Sequence, residues 1–195
     1  NGDAHDAARD LLEELAPTWL FVVGIAGGVP AHEFSLGDVI VSTRIADFSV
    51  EAVLRDQSQE YALAGGPLHR NAGKLAADIR AMVHDGELDG WNDATAIGKP
   101  RPPVVIADDR FYGDDEWKRN VRATLERHFG GKPTRAPIVT TGAIASSDRL
   151  IKDAETLGVW MKIARQIQAV EMESAGVYRA AQGREIPFLA IRGIS

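Results

Sequence analysis

The stretch that most constrains this chain is Gln168 to Ser195, QAVEMESAGVYRAAQGREIPFLAIRGIS, because it writes a strand, a helix and a second strand in immediate succession. Ala169 and Val170 close a short apolar run, and Glu171-Met172-Glu173 then set two acids around a thioether where helical spacing begins. Val177, Ala180 and Ala181 recur at that spacing, Gly183 stands where a helix C-cap belongs, and Ile186 to Ile194 is an apolar run of buried-strand type. Such a unit predicts a right-handed crossover between parallel strands. Ligands of open parallel sheets gather beyond the carboxyl ends of the strands, where Glu171 to Glu173 and Arg192 to Ser195 both fall. A carboxylate and a guanidinium are therefore expected to meet there. A purely structural account of the same residues stands beside this one: first-turn acids favour the helix dipole, and Arg192 neutralises a buried Glu.

The rest of the chain narrows the class of partner. Lys and Arg total 22 against 28 Asp and Glu, a net charge of -6, so no global positive field draws nucleic acid or an anionic membrane. A small-molecule partner is expected. The chain has no cysteine, which excludes disulfides, a thiol nucleophile and thiolate metal sites, and suits a cytoplasmic setting. His69, His84 and His128 lie on helical segments without a second histidine at ligand spacing, so no metal site is expected. No run approaches a membrane span, and the opening residues lack signal-peptide character. At 195 residues one domain is the default, and an opening on Asn1 reads as a lost true start.

In chain order, Asp3 to Leu15 sets Ala7, Leu11, Leu12 and Leu15 on one helical face, ended by Pro17. Trp19 to Ile25 is a continuous apolar run of strand type, and Gly24-Ile25-Ala26-Gly27-Gly28 reads as a turn through which backbone approaches a ligand closely. It is not the dinucleotide fingerprint, because the G-x-G-x-x-G spacing is absent, and a plain tight turn explains it as well. Ser35 to Ser42, SLGDVIVS, is a turn feeding a β-branched strand that continues to Val50. Glu51 to Pro103 is polar and irregular except for a helix from about Leu68 to His84, packing through Leu75, Ile79 and Met82 or Val83. Asp85 to Arg101 reads as a surface excursion or short helical piece, and VVIA at 104 to 107 as a strand. Asp114 to Phe129 is a helix ended by Gly130-Gly131, with Trp117, Val121 and Leu125 on its packing face. Pro137 to Ser146 is a strand, then Ser147-Asp148 caps a helix with Arg149, Leu150 and Ile151 in its first turn.

Three blocks in this order resemble the purine nucleoside phosphorylase and methylthioadenosine/S-adenosylhomocysteine nucleosidase superfamily. They are Trp19 to Val50 with GIAGG and LGDVIVS, Pro137 to Ile151 with GAIASSDRLI, and Gln168 to Ser195 with VEMESAGV and FLAIRGIS. The resemblance implies an α/β fold, three layers α/β/α about a central mixed, mostly parallel sheet, with residues 1–195 as a single domain lacking its N-terminal strand and C-terminal end. It implies that Met172 and Glu173 hold the ribose, Glu173 accepting from sugar hydroxyls. Ile25, Ala26 and Gly27 would lie beneath the ribose and Leu150 and Ile151 would flank the purine, with Glu171 as a further substrate contact. Where many nucleosidases stack an aromatic ring on the base, Leu150 offers apolar packing. The family's base-protonating Asp follows the Arg-x-Ile-Ser run, and this chain stops at Ser195 just before it; the acid that activates water belongs to the opening strand.

N-glycosidic cleavage passes through an oxocarbenium-like sugar, so a site must protonate the leaving base and stabilise positive charge on the ribose. Glu173 suits the second task, its charge mattering more in the transition state than in the ground state. Arg192 completes the expected catalytic pair by orienting Glu173, and Met172 offers an adaptable surface. Ile25 stands where relatives place a hydroxyl near phosphate, and an Ile cannot donate to phosphate, which favours water as nucleophile. The expectation is a purine, adenine-type nucleoside or nucleotide N-ribohydrolase without metal or organic cofactor. Its partner is the small-molecule nucleoside or nucleotide, and it associates with itself. Alternatives are a phosphate-dependent phosphorylase, and a ligand-sensing or effector module of a larger signalling or defence protein.

Overall fold

The computed structural model describes residues 2–29, 32, 34–53, 59–93, 114–129, 136–148 and 154–195. Contacts divide the chain into two compact units, Asn1–Glu87 with Ile138–Ser195, and Leu88–Pro137. Within the first, α1 (Gly2–Leu15) leads into β1 (Leu20–Gly28), β2 (Val39–Val53), β3 (Gln59–Pro67) and α2 (Arg70–His84). The second holds α3 (Asp115–Phe129), with Asn92 Nδ2 donating to the Pro137 carbonyl at 3.0 Å. The first then resumes with β4 (Val139–Ser146), α4 (Ala154–Ile163), β5 (Ile167–Glu171), α5 (Ser174–Gln182) and β6 (Phe188–Ile194).

The strands form one mixed sheet in the order β3-β2-β4-β5-β1-β6, and β2 also pairs with β6. That extra ladder closes β2, β4, β5, β1 and β6 into a ring, with β3 attached outside it. The parallel ladders β1–β6, β2–β4 and β4–β5 are the longer ones in the ring, and β1–β5 and β2–β6 are short antiparallel contacts. The expected α/β class and mixed sheet are found.

Alternation along the strands sends neighbours to opposite faces. Ile40, Ala190, Phe188 and Ile194 pack with Ala8 and Leu12 of α1 and with Val177, Tyr178 and Ala181 of α5. Their neighbours Val41 and Leu189 pack instead with Ala72 and Ala76 of α2. A third cluster centres on Trp160 of α4, stacked on Phe48 with ring centroids 4.4 Å apart and 4° between planes. The turn into β2 is fixed by Asp38, which accepts from the Ser35 amide at 2.7 Å and the Ile138 amide at 3.0 Å, with Gly37 at φ 84. Gly is required at that φ because a Cβ would clash there.

Three local expectations are corrected. The glycine-rich segment Gly24 to Gly28 is not a turn: it is the second half of β1, and none of its glycines has a positive φ. The unit from Gln168 to Ile194 is not a crossover between adjacent parallel strands, because β1 lies between β5 and β6, antiparallel to the first and parallel to the second. β3 falls in the stretch read as irregular; its antiparallel main-chain pairing with β2, interrupted by a bulge after Asp47, holds a segment of weak strand propensity. The expected strand at 104–107 and the first-turn residues Arg149, Leu150 and Ile151 lie outside the described residues.

Trp160 is fully buried, and its Nε1 has no hydrogen-bond partner among the described residues, so it contributes through packing area alone. Trp160→Ala is expected to cost about 3–5 kcal/mol of stability by leaving a cavity against Phe48 and Tyr61. Urea unfolding of the protein checks this, and a loss below about 1 kcal/mol would show that the aromatic cluster does not hold α4.

Candidate active site

Across β2, β4 and β5 the register aligns Asp47 with Ser146 and Ser146 with Glu171, a row of polar side chains at the last paired positions of the two parallel ladders. All three are buried. Each receives a donor from α5: Arg179 Nη1 reaches Asp47 Oδ2 at 2.6 Å, the Ala175 amide reaches Ser146 Oγ at 3.0 Å, and the Ser174 amide reaches Glu171 Oε2 at 3.0 Å. The helix is thus seated on the sheet by polar contacts at known points. Leaving any of these groups unpaired would cost the full desolvation of that group, so the seat is specific as well as stable.

Glu171 carries most of the seat. Its carboxylate accepts from the Glu173 amide at 3.0 Å, from the Ser174 amide and Ser174 Oγ, and from Arg192 Nη2. Arg192 Nη2 also donates to Ser174 Oγ at 2.9 Å. Orphan amides at the start of a helix are normally answered by the N-cap side chain. Here the N-cap is Glu173, and it makes no side-chain cap bond: Glu171 takes the Glu173 and Ser174 amides, and Ser146 Oγ takes that of Ala175. The Glu173 carboxylate is therefore left outward, its side chain 50% exposed, with Oε2 lying 3.4 Å from Arg192 Nη2. Two carboxylates face one guanidinium, and the cluster keeps one net negative charge on its exposed member.

The predicted residues fall into three groups. Glu171, Glu173 and Arg192 come together, and Met172, between the two acids in sequence, is half-buried. Glu171, expected as a substrate contact, has its oxygens committed to α5 and Arg192, and at 5% exposed it presents nothing to a ligand. The structural account of an arginine neutralising a buried glutamate thus holds for Glu171 while Glu173 remains open. Gly27 is exposed and Ala26 buried at the end of β1, next to β5 and β6. Ile25 is 69% exposed and shares its face with Phe21 and Val23, opposite the face on which Gly24 and Arg192 pair. Its side chain does not join the carboxylate cluster. Leu150 and Ile151 lie outside the described residues.

The sequence reading missed Asp47, Ser146, Ser174 and Arg179. A signal was present for Asp47, an acid inside an apolar strand; the serines carry none that distinguishes them from ordinary turn residues. Elsewhere on α5, burial pushes the Tyr178 phenol above its ordinary pKa, with Arg44 pulling the other way, and Tyr178 Oη donates to the Pro67 carbonyl at 3.0 Å. A cavity of about 280 Å³ opens there between Leu68, His69, Ile186 and Phe188, and neither Glu173 nor Arg192 lines it. Among the described residues no group of three His, Asp or Glu is placed to hold a metal ion, and no helix is long and apolar enough to cross a membrane.

Glu171→Ala is expected to cost about 3–5 kcal/mol, since it leaves Arg192 buried without its counter-charge and frees the α5 amides. Replacing both partners by apolar residues, Glu171→Leu with Arg192→Met, should recover a large part of that loss in the same unfolding measurement. A single variant as stable as the parent would show that the pair is solvated.

A family model of the phosphorylase superfamily matches residues 4–195. Among curated proteins, a death domain-containing ATP nucleosidase of Amphimedon queenslandica is 24% identical over 193 residues, 98% of this chain and 30% of that protein. ATP nucleosidase Cap17 of Escherichia coli is 28% identical over 199 residues, covering 100% of this chain and 34% of its own length. This chain therefore spans about a third of either relative. Among solved structures, the 5'-methylthioadenosine/S-adenosylhomocysteine nucleosidase of Colwellia psychrerythraea in complex with adenine superposes with a TM-score of 0.58 at 18% identity, over 98% of this chain and 60% of that one.

Proposed function

This chain belongs to the phosphorylase superfamily, and on that premise we propose that it is the glycosidase domain of an enzyme hydrolysing the base-ribose bond of an adenine-type nucleoside or nucleotide. The observation that carries the reading is the Glu173 carboxylate, exposed at the start of α5 with its backbone amide donated to Glu171 and Arg192 shared between the two acids. A carboxylate so placed accepts hydrogen bonds from two adjacent sugar hydroxyls. As the C1′–N9 bond lengthens, its electron pair moves into the base and positive charge grows on the ribose. The negative charge of Glu173, which shares Arg192 with Glu171, then attracts the ring more strongly than in the ground state, which is what lowers a barrier. Water adds at C1′ and gives up a proton, and the base takes one.

Arg192 is a positioning residue in this reading. At 3% exposed it has no surface for substrate, and it acts by fixing the carboxylates around it. Met172 packs beneath the sugar, and Ala26 and Gly27 bring the end of β1 towards it. Leu150 and Ile151 retain their place against the purine from the motif alone. Water is preferred over phosphate as nucleophile because Ile25 supplies no hydroxyl and its side chain faces away from the cluster. A nucleotide is preferred over a nucleoside because the two relatives named above act on ATP. The cytoplasmic setting is supported by the absence of cysteine, and self-association by the exposed apolar face of Phe21, Val23 and Ile25 on β1.

The effector reading is favoured by one observation of its own, the death domain carried by the Amphimedon relative, of which this chain matches 30%. It differs in context rather than chemistry: a nucleosidase domain governed by attached modules depletes its nucleotide only when they are triggered. Activity that appears constitutively in the intact protein would argue against it.

Incubation of the protein with ATP, adenosine and methylthioadenosine, with and without phosphate, is expected to release adenine and the free sugar or its 5′ derivative in the absence of phosphate. Appearance of a ribose 1-phosphate only when phosphate is present would overturn hydrolysis in favour of phosphorolysis. Glu173→Gln should lower kcat by roughly 10²–10³ with little change in KM. An equal loss through KM would mean that Glu173 grips the substrate uniformly and does not answer the developing charge.

A further inference from the structure

Arg192 sits on β6, and its ion-pair partner Glu171 sits at the end of β5, yet these strands are not neighbours. β1 runs between them, so the guanidinium must pass over β1 to reach Glu171. Adjacent strands lie about 4.8 Å apart, which makes the crossing about 10 Å from backbone to backbone. On the other flank Arg192 is in register with Ile40 of β2, fully buried, so the arginine leans toward β1. The residue in register with Arg192 on β1 is Gly24. A Cβ built on Gly24 would overlap Arg192 Nη1 and lie 3.4 Å from Cζ. The glycine has no positive φ to explain it. Its missing side chain is the space the guanidinium occupies.

We propose that Gly24 is a positioning residue of the glycosidase site: it is the crossing point that lets Arg192 reach Glu171, and through that pair it sets where Glu173 points. This rests on the reading of Glu173 given above. A flexible terminus could step aside from a new methyl group, but Arg192 is held by Glu171 and by Ser174 Oγ and is 3% exposed. Moving it displaces the partner that lies 3.4 Å from Glu173 Oε2. A methyl group at Gly24 therefore acts on Glu173 without touching it. A displacement near 1 Å in a group that must align with a reacting bond costs about 10²-fold in rate.

The test is a double-mutant cycle on the intact protein, read in kinetics and in thermal unfolding. Gly24→Ala is expected to lower kcat about 10²-fold while KM changes little, and to lower Tm by several degrees. Arg192→Lys removes the branched guanidinium from the crossing, so adding Gly24→Ala to it should lower Tm hardly at all and cost little further activity. Equal Tm penalties for Gly24→Ala in the Arg192 and Lys backgrounds would overturn the crossing, and so would Gly24→Ala with kcat within threefold of the parent. Absence of glycosidase activity in the parent itself would sink the proposed function and leave the Tm cycle to decide the role of Gly24.

Discussion

The buried ion pair between Glu171 and Arg192 is the interaction on which the site depends. Removing two charges from water costs several kcal/mol per ion, and their attraction repays this only when the remaining hydrogen-bonding positions are also filled. Glu171 meets that condition with two backbone amides and a serine hydroxyl in addition to the guanidinium. Arg192 meets it less completely, since its Nε finds no partner among the described residues. A pair of this kind adds little net stability over a well-packed apolar pair. What it adds is placement, because it ties the start of α5 to both β5 and β6. The Asp47 to Arg179 bridge and the Ser146 contact repeat the same logic along the helix.

Placement explains how two glutamates so close in sequence come to do different work. Glu171 ends a strand and points into the protein; Glu173 begins a helix and points out. Because Glu171 and Ser146 answer the first amides of α5 from the strands beneath it, the N-cap side chain is released from the task that N-cap residues ordinarily perform. The exposed carboxylate of Glu173 therefore goes with the buried acceptors, Glu171 and Ser146, that replace it. Its ion pair with Arg192 is half solvated, and such pairs contribute about 0–1 kcal/mol. That weakness suits the proposed role, in which Glu173 would exchange its contacts with sugar hydroxyls.

Much of this was legible before the structure. The strand, helix and strand from Gln168 to Ile194, the helices at Gly2–Leu15 and Arg70–His84 and the meeting of a carboxylate with Arg192 all follow from local spacing and motif. What local spacing does not carry is the identity of strand partners. Nothing in the run from Leu20 to Gly28 says that its end pairs antiparallel with β5 while its body pairs parallel with β6, because pairing is decided by chain closure over long separations. The same gap hid β3, whose weak strand propensity is overridden by its ladder with β2. The division of labour between Glu171 and Glu173 was hidden for a subtler reason. Both acids sit where an acid is favourable for the helix, and only hydrogen-bond accounting in three dimensions separates the capping acid from the open one.

Ring closure and site chemistry are then one problem. In an open parallel sheet β5 and β6 would lie side by side, and an arginine on one could meet a glutamate on the other directly. Inserting β1 between them doubles the distance, and the short antiparallel contact of Gly27 and Gly28 with Val170 and Ala169 is what holds β1 there. The longer path demands the longest cationic side chain and a strand surface without obstruction. Arginine at 192 answers the first requirement and glycine at 24 the second. The glycine-rich motif that sequence reading treats as a flexible turn is thus, at its first position, a rigid strand whose lack of a side chain is used as volume. Conformational freedom is the ordinary reason for glycine, and here it is the wrong one: the extended backbone of Gly24 suits any residue, while the guanidinium lying over it admits none larger.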